Sequence, residues 1–541
     1  MKFYDTPLEE AEGAILAHSL RIGSLNFKKG RRLTAEDIDS LRAMRVASVA
    51  AAHLEEGDVH EDAAAQRIAE ALSGTGVSCS AAFTGRCNLV SARRGLLVYE
   101  RERVDAINLI DESITFAALS PFEVVEPKQM LGTVKIIPFA APKSALDAAL
   151  EVAREGGPLL RVATFKRKQV GLVQTSLPGQ KEALLDKTRD SINARLTALG
   201  GGSVKEMRCA HDAGAVAQAV ERQVRQGAEM VLVSGASANV DRRDVVPMAI
   251  ERAGGEVLHF GMPVDPGNLL VFAHLGEVPV LGLPGCARSP KVNGFDWVLQ
   301  RLVADVPLRR EDIMRMGAGG LLKESGLRPL PRAEAVEAPA APRAPRIAAI
   351  VLAAGRSSRM GGKNKLLEKL DGKPLLLHAV EAALDSQADF TLVVTGHERE
   401  AVERLLPKDK LRIVHNPNYA QGLSTSLHAG LAALPEDLDG VVVLLGDMPK
   451  VKAAIIDRLI AAFSPVEGRS ICLPMREGHR GNPVLFARRY FPEVMEISGD
   501  LGARPLLGSY PDQVAEVPMP DDAVLTDVDT PDELEGLRRD S

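Results

Sequence analysis

The sequence is poor in aromatic residues and in cysteine, and both shortages narrow what the chain can be. Phenylalanine, tyrosine and tryptophan make up only 4% of the 541 residues, so the cores must be built from Ala, Val, Leu and Ile. The five cysteines are scattered, odd in number and free of any C-x-x-C pair. This pattern predicts neither a disulfide framework nor a zinc site.

Long apolar runs and basic tracts are also missing. No run reaches membrane-spanning length, and the first residues, MKFYDTPLEEAEG, are polar and acidic rather than signal-like. The net charge is −6, and no basic tract points to a nucleic-acid partner. We therefore expect a cytoplasmic protein, with no membrane or nucleic-acid partner, that handles ionic ligands with local clusters of charge.

The alternation of apolar segments predicts an α/β protein with two mostly parallel sheets and an additional N-terminal α+β region. We expect this α+β region over residues 1–150 and the first α/β domain over 151–320. A Pro- and Ala-rich linker is predicted over 321–345, with few contacts across it, before a second α/β domain over 346–541.

Three helices are predicted in the N-terminal region. Thr6–Ala17 and Glu61–Leu72 have apolar residues at helical spacing, and a third helix is expected to follow Thr34. Thr34 and Asp37 have the spacing of a capping box. We interpret the stretch Asp58–Asp62 as a solvated helix start rather than a metal site, because acidic residues favour that position.

The most informative stretch is 347–367, IAAIVLAAGRSSRMGGKNKLL. The apolar run Ile347–Leu352 predicts a buried strand, and the loop after it is small, Gly-rich and basic. Backbone N–H groups at such a strand end can face an anion, and the nearby cations can neutralise a triphosphate. The spacing is neither that of a Walker loop nor that of a dinucleotide-binding loop, and the alternative is a basic turn after an edge strand.

The pattern L-A-A-G-x-S-x-R-M-G-x-x-K resembles the signature loop of the nucleotidyltransferases that couple a sugar or pterin phosphate to an NTP. The version found here resembles most the molybdenum cofactor cytidylyltransferases. The resemblance implies catalytic roles for Arg359, Lys365 and Asp447. It also implies a set of nucleotide-binding residues: Leu352, Ala353, Ala354, Gly355, Arg356, Ser357, Ser358, Arg359, Met360, Gly361, Lys365, Gly422, Ser424 and Asp447.

Carboxylates later in the chain predict a magnesium site. Asp447 follows the apolar strand Gly440–Leu445, and a carboxylate at a buried strand end near a phosphate loop suits Mg²⁺. The resemblance adds Asp529 as a second metal residue, although Asp529 could instead cap a helix that begins at Pro531. It also implies a pterin site in this domain: Gly481, Asn482, Pro483, Asp500 and Arg504. Two helix positions are interpreted structurally, with Ser424 as an N-cap and His378 as a packed helix residue.

The upstream part resembles a second family. SGASANVDRRDVVP (234–247) and GLPGCARSP (282–290) resemble loops of the molybdopterin adenylyltransferase and molybdotransferase fold. AEGAILAHSL and KGRRLTAEDIDSLRAMRVASV resemble the N-terminal part of the molybdotransferases. The resemblance implies that these loops bind molybdopterin through Ser234, Gly235, Ser237, Asp244, Pro284, Gly285 and Ser289. Asp265 and Cys286 replace a family lysine and asparagine, which favours pterin binding without adenylyl transfer or metal insertion; a purely supporting domain is the alternative.

Together these features predict an enzyme of molybdenum cofactor biosynthesis. We expect it to transfer CMP from CTP to the terminal phosphate of molybdopterin cofactor, with Mg²⁺ as cofactor and pyrophosphate as the leaving group. A molybdoenzyme or its chaperone is the expected protein partner. The alternatives are a sugar- or alditol-phosphate cytidylyltransferase and a non-catalytic molybdopterin carrier.

Overall fold

A computed structural model describes residues 1–22, 25–322, 343–357, 360, 363–499 and 504–539. Most of the predicted linker therefore lies outside the described residues. Among the described helices, none has both the length and the apolar character needed to cross a membrane.

The N-terminal region is built from small antiparallel sheets and four helices. Three- and four-stranded sheets are the largest of these. The strands are β1 (Lys2–Pro7), β2 (Ile15–Leu16), β3 (Leu20–Ile22), β4 (Leu25–Phe27), β5 (Ser48–His53), β6 (Asp58–His60), β7 (Val77–Cys79), β8 (Arg86–Ser91), β9 (Gly95–Val98), β10 (Ile114–Ala118), β11 (Val124–Val125), β12 (Met130–Ile136), β13 (Ala140–Pro142) and β14 (Arg161–Ala163). The helices are α1 (Ala35–Ala43), α2 (Glu61–Leu72), α3 (Arg101–Asn108) and α4 (Lys143–Arg154).

The predicted helix at Thr6–Ala17 is wrong. β1 pairs along its whole length with β5, and β2 pairs with the other side of β5. The predicted capping box is present before α1, since the Thr34 side chain accepts from the Asp37 N–H and Asp37 accepts from the Thr34 N–H. Local capping signals thus decided the start of α1, whereas pairing with a distant strand overrode the helical spacing at the N-terminus.

The middle region is a six-stranded sheet with helices on both faces. Its order is β16-β15-β17-β20-β19-β18, in which the first four strands are parallel and the last two pair antiparallel. The strands are β15 (Val170–Ser176), β16 (Lys205–Ala210), β17 (Met230–Ser234), β18 (Glu256–Phe260), β19 (Val271–Leu275) and β20 (Val278–Gly282). The helices are α5 (Glu182–Ala198), α6 (Ala213–Arg225), α7 (Val245–Arg252), α8 (Gly294–Val303) and α9 (Arg310–Met314).

The C-terminal domain contains an eight-stranded sheet, which confirms the predicted α/β class. The order is β25-β24-β21-β26-β29-β27-β28, with β30 beside β27, and the first four strands are parallel. The strands are β21 (Ile347–Ala353), β22 (Lys369–Leu370), β23 (Lys373–Pro374), β24 (Phe390–Thr395), β25 (Arg412–His415), β26 (Gly440–Leu445), β27 (Ile471–Arg476), β28 (His479–Arg480), β29 (Val484–Ala487) and β30 (Val514–Pro518). The helices are α10 (Leu375–Leu384), α11 (Arg399–Leu405), α12 (Leu423–Ala432), α13 (Ala453–Ala462), α14 (Phe491–Glu496), α15 (Arg504–Ser509) and α16 (Pro531–Arg539).

The N-terminal region packs against the C-terminal domain. The Lys128 Nζ lies 2.5 Å from the Asp389 Oδ1, which is almost fully buried. Phe83 packs against the core of the C-terminal sheet. These contacts correct the expectation that few interactions cross between the units on either side of the linker.

The burial of Glu61 corrects the interpretation of the stretch Asp58–Asp62 as a solvated helix start. The helix begins at Glu61 as predicted, but only 11% of this side chain is exposed to solvent. Burial raises the pKa of Glu61 to about 7, and the attraction of the Lys135 ammonium, 3.7 Å away, only partly opposes this effect. The start of α2 is therefore not fully solvated, and it carries a carboxyl group that is about half protonated near pH 7.

The first prediction concerns stability at the start of α2. A carboxyl group with a raised folded-state pKa destabilises the fold progressively as the pH rises from its unfolded value of 4.5 to about 7. Glu61→Gln should therefore be more stable than the parent at pH 8 by on the order of 1–3 kcal/mol, with a smaller advantage at pH 5. Thermal unfolding at both pH values measures the difference.

Glu70→Gln is the matched control for this experiment. Glu70 lies on the same helix but is exposed, so its replacement removes the same charge without relieving burial. The difference in stability between Glu70→Gln and the parent should be the same at pH 5 and at pH 8. An equal pH dependence in both variants would contradict the role of burial at Glu61.

Candidate functional site

The candidate site lies at the carboxyl end of β21, which is buried along its whole length between the parallel strands β24 and β26. The Gly446 N–H donates to the Leu352 carbonyl at 3.0 Å, so β21 and β26 end side by side. Carboxyl ends of parallel strands are where open α/β sheets bind ligands. The sheet thus brings the loop after β21 and the loop after β26 to one place.

A cavity of about 570 Å³ opens at this edge of the sheet. Many of the predicted nucleotide-binding residues line it, together with residues from α12 and the loop before it. The lining residues are Leu352, Ala354, Gly355, Arg356, Ser357, Lys365, Leu366, Tyr419, Ala420, Gln421, Gly422, Leu423, Ser426, Leu445, Asp447 and Asp529.

One lysine joins the two predicted metal carboxylates. The Lys365 Nζ lies 2.5 Å from the Asp447 Oδ2 and 2.7 Å from the Asp529 Oδ1. The Val528 N–H donates to the Asp447 carbonyl at 3.0 Å, which holds the Asp529 segment against the end of β26. Lys365 is itself held by its backbone N–H, which donates to the Ser357 Oγ at 3.1 Å.

The electrostatics of this cluster favour a charged lysine. Burial opposes the ammonium form, but the attraction of Asp447 and Asp529 outweighs it, so the pKa of Lys365 is raised above its ordinary value. A third carboxyl group, Asp527, lies nearby, and its pKa is raised first by burial and then by the charges of Asp447 and Asp529. Sequence reasoning did not single out Asp527, which shares the segment of Asp529.

The donor set fits a magnesium ion. The Asp447 Oδ1 is buried and has no hydrogen-bond partner among the described residues. No group of three or more His, Cys, Asp or Glu side chains in the described ranges could hold a metal ion. Mg²⁺ usually needs only one or two carboxylates because substrate phosphates and water complete its shell. Asp447 and Asp529 meet that requirement.

The cavity lining also includes an aromatic ring that the sequence analysis missed. The Arg356 guanidinium lies 5.8 Å from the centre of the Tyr419 ring, and both residues line the cavity. Gly422 follows with a φ of +117°, a conformation that L side chains rarely adopt. An aromatic ring at this position is able to stack on a nucleobase.

Three predicted nucleotide-binding residues, Ala353, Met360 and Ser424, do not line the cavity. Ala353 is buried and does not line the cavity, whereas its neighbour Ala354 does. Met360 packs instead in a small core with Leu375 and Val528. The Ser424 side chain does not cap α12, because the N-cap position belongs to Gly422.

Several predicted residues of this site lie outside the described part of the chain. These residues are Ser358, Arg359, Gly361 and Asp500. Arg504 begins α15, but its side chain is likewise outside the description.

The predicted pterin segment Gly481–Pro483 lies beside the segment that leads to Asp529. The Asn482 N–H donates to the Val524 carbonyl at 3.0 Å. A Cβ on Gly481 would come within 2.3 Å of the same carbonyl oxygen, so this close approach requires glycine. The structure thus places Gly481 and Asn482 near the chain segment that carries a predicted metal residue.

In the middle domain, the predicted loops meet at the carboxyl edge of the sheet. The Arg288 Nη2 donates to the Gly235 carbonyl at 2.7 Å, which ties the loop after β20 to the loop after β17. Ser234 ends β17, and Pro284 is buried where the chain leaves β20. The Ser289 carbonyl accepts from the Arg195 Nη2 at 2.6 Å, so α5 holds the far end of the loop that includes Gly285.

Two further side chains at this edge were missed by sequence reasoning. The Ser237 Oγ lies 2.9 Å from the His211 Nε2, and the His211 Nδ1 lies 2.9 Å from the Thr175 Oγ1. His211 directly follows β16, and Thr175 is the penultimate residue of β15. Their position at the ends of predicted parallel strands was the sequence signal that could have identified them. Asp244 accepts from the Val240 and Asp241 N–H groups, and these bonds lower its pKa. Its carboxylate therefore stabilises its own loop.

Comparison with known families identifies the C-terminal domain. The model of the MobA-like NTP transferase domain matches residues 349–514. A model of a domain of unknown function (DUF8806) matches residues 5–53.

Similar proteins cover about a third of the chain. Purine catabolism protein PucB of Bacillus subtilis is 33% identical over 202 residues, which are 35% of this chain and 95% of that protein. Nicotine blue oxidoreductase of Paenarthrobacter nicotinovorans is 28% identical, over 35% of this chain and 94% of its own length. Molybdenum cofactor cytidylyltransferase of Escherichia coli is 28% identical, over 34% of this chain and 92% of its own length.

The second prediction tests the carboxylate at the end of β26. Asp447→Asn keeps the shape of the side chain but removes its negative charge, so nucleotidyl transfer should fall by about 10²–10³-fold. Pyrophosphate release from NTP with Mg²⁺ present measures the loss, and thermal unfolding checks that the fold is retained.

Asp532→Asn serves as the control for Asp447→Asn. Asp532 is an exposed residue in the first turn of α16, close in sequence to Asp529. Its replacement should leave turnover unchanged. Near-normal turnover in Asp447→Asn would contradict a direct role of Asp447 in the transfer.

Proposed function

The chain belongs through its C-terminal domain to the MobA-like NTP transferase family, and on that premise we propose that it transfers CMP from CTP to the terminal phosphate of molybdopterin cofactor. In this reaction a phosphate oxygen of the cofactor attacks the α-phosphorus of CTP. A new phosphoanhydride bond forms as the bond to pyrophosphate breaks. The observation that carries the proposal is the Lys365–Asp447–Asp529 cluster at the mouth of the cavity.

The proposed reaction needs charge neutralisation more than a general base. A phosphate monoester carries between one and two negative charges at pH 7, so the attacking oxygen needs little deprotonation. The main barrier is repulsion between anions, which fixed positive groups and alignment lower. Lys365, which its surroundings keep charged, is the described residue best placed to offset charge on the triphosphate. Arg359 is proposed to share this role.

Asp447 and Asp529 are proposed to hold Mg²⁺, which when bound would neutralise negative charge on the nucleotide phosphates. For the ion to bind there, Lys365 must give up at least part of its contact with the two carboxylates. The ammonium group is then free to face the phosphates instead.

Several observations support molybdopterin cofactor as the acceptor. The E. coli relative is named a molybdenum cofactor cytidylyltransferase. The Gly481–Pro483 segment lies beside Val524, on the segment that leads to Asp529, and Asp500 and Arg504 are proposed to contact the pterin with it. In the middle domain, Ser234, Gly235, Ser237, Pro284, Gly285 and Ser289 are proposed to hold molybdopterin.

One experiment separates this proposal from its alternatives. The full chain is incubated with molybdopterin cofactor, Mg²⁺ and each of the four NTPs, and pyrophosphate and the pterin product are measured. CTP-dependent pyrophosphate release with a product heavier by CMP is the expected result. Activity with sugar or alditol phosphates but not with the pterin would identify a different acceptor class. Pterin binding without any pyrophosphate release would identify a carrier.

The third prediction concerns the choice of nucleotide. The guanylyl-transferring proteins that the loop resembles have two glycines where this chain has Ala353 and Ala354, and only Ala354 lines the cavity. Ala354→Gly should therefore raise GTP use relative to CTP use by about 10-fold, the scale of one misfit methyl group. The kcat/KM values for both nucleotides measure the change.

Ala353→Gly is the matched control, because Ala353 is buried outside the cavity. It should leave the ratio of CTP to GTP use within about twofold of the parent. A preference for GTP in the parent enzyme would contradict the cytidylyl assignment outright. Equal shifts in both variants would mean that loop flexibility, rather than the Ala354 methyl group, sets the preference.

A further inference from the structure

A second cavity, of about 520 Å³, lies between the N-terminal region and the C-terminal domain. Its walls come from the loop 28–34 and the start of α2 on one side, and from α13, β27 and β30 on the other. It shares no lining residue with the cavity at the end of β21. Neither the proposed nucleotidyl transfer nor the middle-domain loops make use of it.

Cations from both units converge on this cavity. The loop 28–34 contributes Lys28, Lys29, Arg31 and Arg32, and the C-terminal domain contributes Arg458 and Arg476. Some of these charges are satisfied within the protein. Arg31 forms a two-point contact with Asp37, and Arg476 pairs with Asp522 and Glu477.

Among the lining cations that have no carboxylate partner in the described part of the chain, Lys29 and Arg32 are exposed, whereas Lys28 and Arg458 are partly buried. The Lys28 ammonium donates to the Val514 carbonyl, and burial lowers its pKa. The Arg458 Nε is buried and has no hydrogen-bond partner among the described atoms. Partly buried positive groups without a carboxylate partner destabilise the protein, and an anion bound beside them in the cavity would offset their charge.

The acidic side chains of the lining do not fill that role. The Asp62 Oδ1 accepts from the Gly85 N–H at 2.7 Å, and Glu516 pairs with Arg480 at 2.8 Å. Glu477 pairs with Arg476. Burial raises the pKa of Glu61 to about 7, so this carboxyl group carries only part of a negative charge near neutral pH. The cavity therefore keeps an excess of positive charge.

The remaining walls are apolar and suit a flat ring. Phe83, Met475, Pro518 and Met519 line the cavity between the charged groups. Methionine side chains adapt to irregular ligand surfaces, and an aromatic ring stacks on another ring. The site thus combines an anion-binding part with a part for an apolar planar body.

We propose that this interdomain cavity binds a small organic phosphate that consists of a planar heterocycle and a phosphate monoester. The phosphate lies against Lys28 and Arg458, and the ring lies against Phe83 and the two methionines. Because the two cations come from different units, the bound ligand stabilises the contact between the N-terminal region and the C-terminal domain. The proposal does not depend on which nucleotide or acceptor the other cavity uses.

The fourth prediction uses riboflavin 5′-phosphate as a fluorescent probe of this ligand class. We expect saturable binding of the probe to the full chain, with a change in its fluorescence. Riboflavin, which lacks the phosphate, and inorganic phosphate, which lacks the ring, should each bind at least about 10-fold more weakly, as expected when a main group of contacts is lost.

Variants locate the binding. Lys28→Gln and Arg458→Gln should each weaken probe binding about 5- to 10-fold, the effect of one lost charge-assisted hydrogen bond. Lys28→Arg, which keeps the charge, should retain binding. Lys452→Gln is the control, because Lys452 is an exposed cation at the start of the same α13 that carries Arg458. Thermal unfolding verifies that each variant is folded.

Two results would overturn the proposal. One is the absence of saturable binding by the parent protein. The other is binding that is insensitive to both Lys28→Gln and Arg458→Gln, or equally sensitive to Lys452→Gln, since the probe would then be held elsewhere or by general charge alone. Neither result would bear on CMP transfer, which is measured separately through pyrophosphate release.

Discussion

The C-terminal domain depends on one interaction, the contact of a single ammonium group with two carboxylates. Asp447 and Asp529 approach the same point from different parts of the chain, and two carboxylates that share a site repel each other unless a cation lies between them. Lys365 provides that cation. The turn that carries Lys365, the end of β26 and the segment before α16 must all be in place for the cluster to exist, so the cluster fixes the geometry of the cavity mouth.

This constraint also explains why the site is assembled at strand ends. A lysine in a flexible surface loop would hold two carboxylates weakly, because exposed ion pairs contribute little. Here the buried β21 and β26 end side by side, and the Ser357 hydroxyl fixes the backbone of Lys365. The sheet thus fixes the positions of the two strand ends from which the site is built. The cluster of one lysine and two carboxylates has a net charge near minus one. It therefore attracts a divalent cation, and it repels a triphosphate whose charge no cation neutralises.

The predictable features were those set by near neighbours. The capping box at Thr34 and the start of α2 depend on residues two or three positions apart, and the parallel α/β class followed from the alternation of segments. The failures came from distant contacts. The strand β1 forms because β5 pairs with it, which no local pattern shows. The alternative interpretation of Asp529 as a helix cap also fails, since Thr530 accepts from the first turn of α16. The raised pKa of Glu61 likewise follows from packing that no local pattern reveals.

The similar proteins point to where specificity must reside. Relatives with names as different as a purine catabolism protein, an oxidoreductase and a cytidylyltransferase share this domain with the chain. Groups that neutralise a triphosphate act on a feature common to all NTPs, so Lys365 and its carboxylates cannot distinguish one acceptor from another. Discrimination has to come from contacts with the parts that differ, for which we propose Ala354 and Tyr419 toward the base and Gly481 toward the acceptor. The first 340 or so residues lie upstream of the matched region and are the largest part of the chain in which a specific acceptor could be recognised.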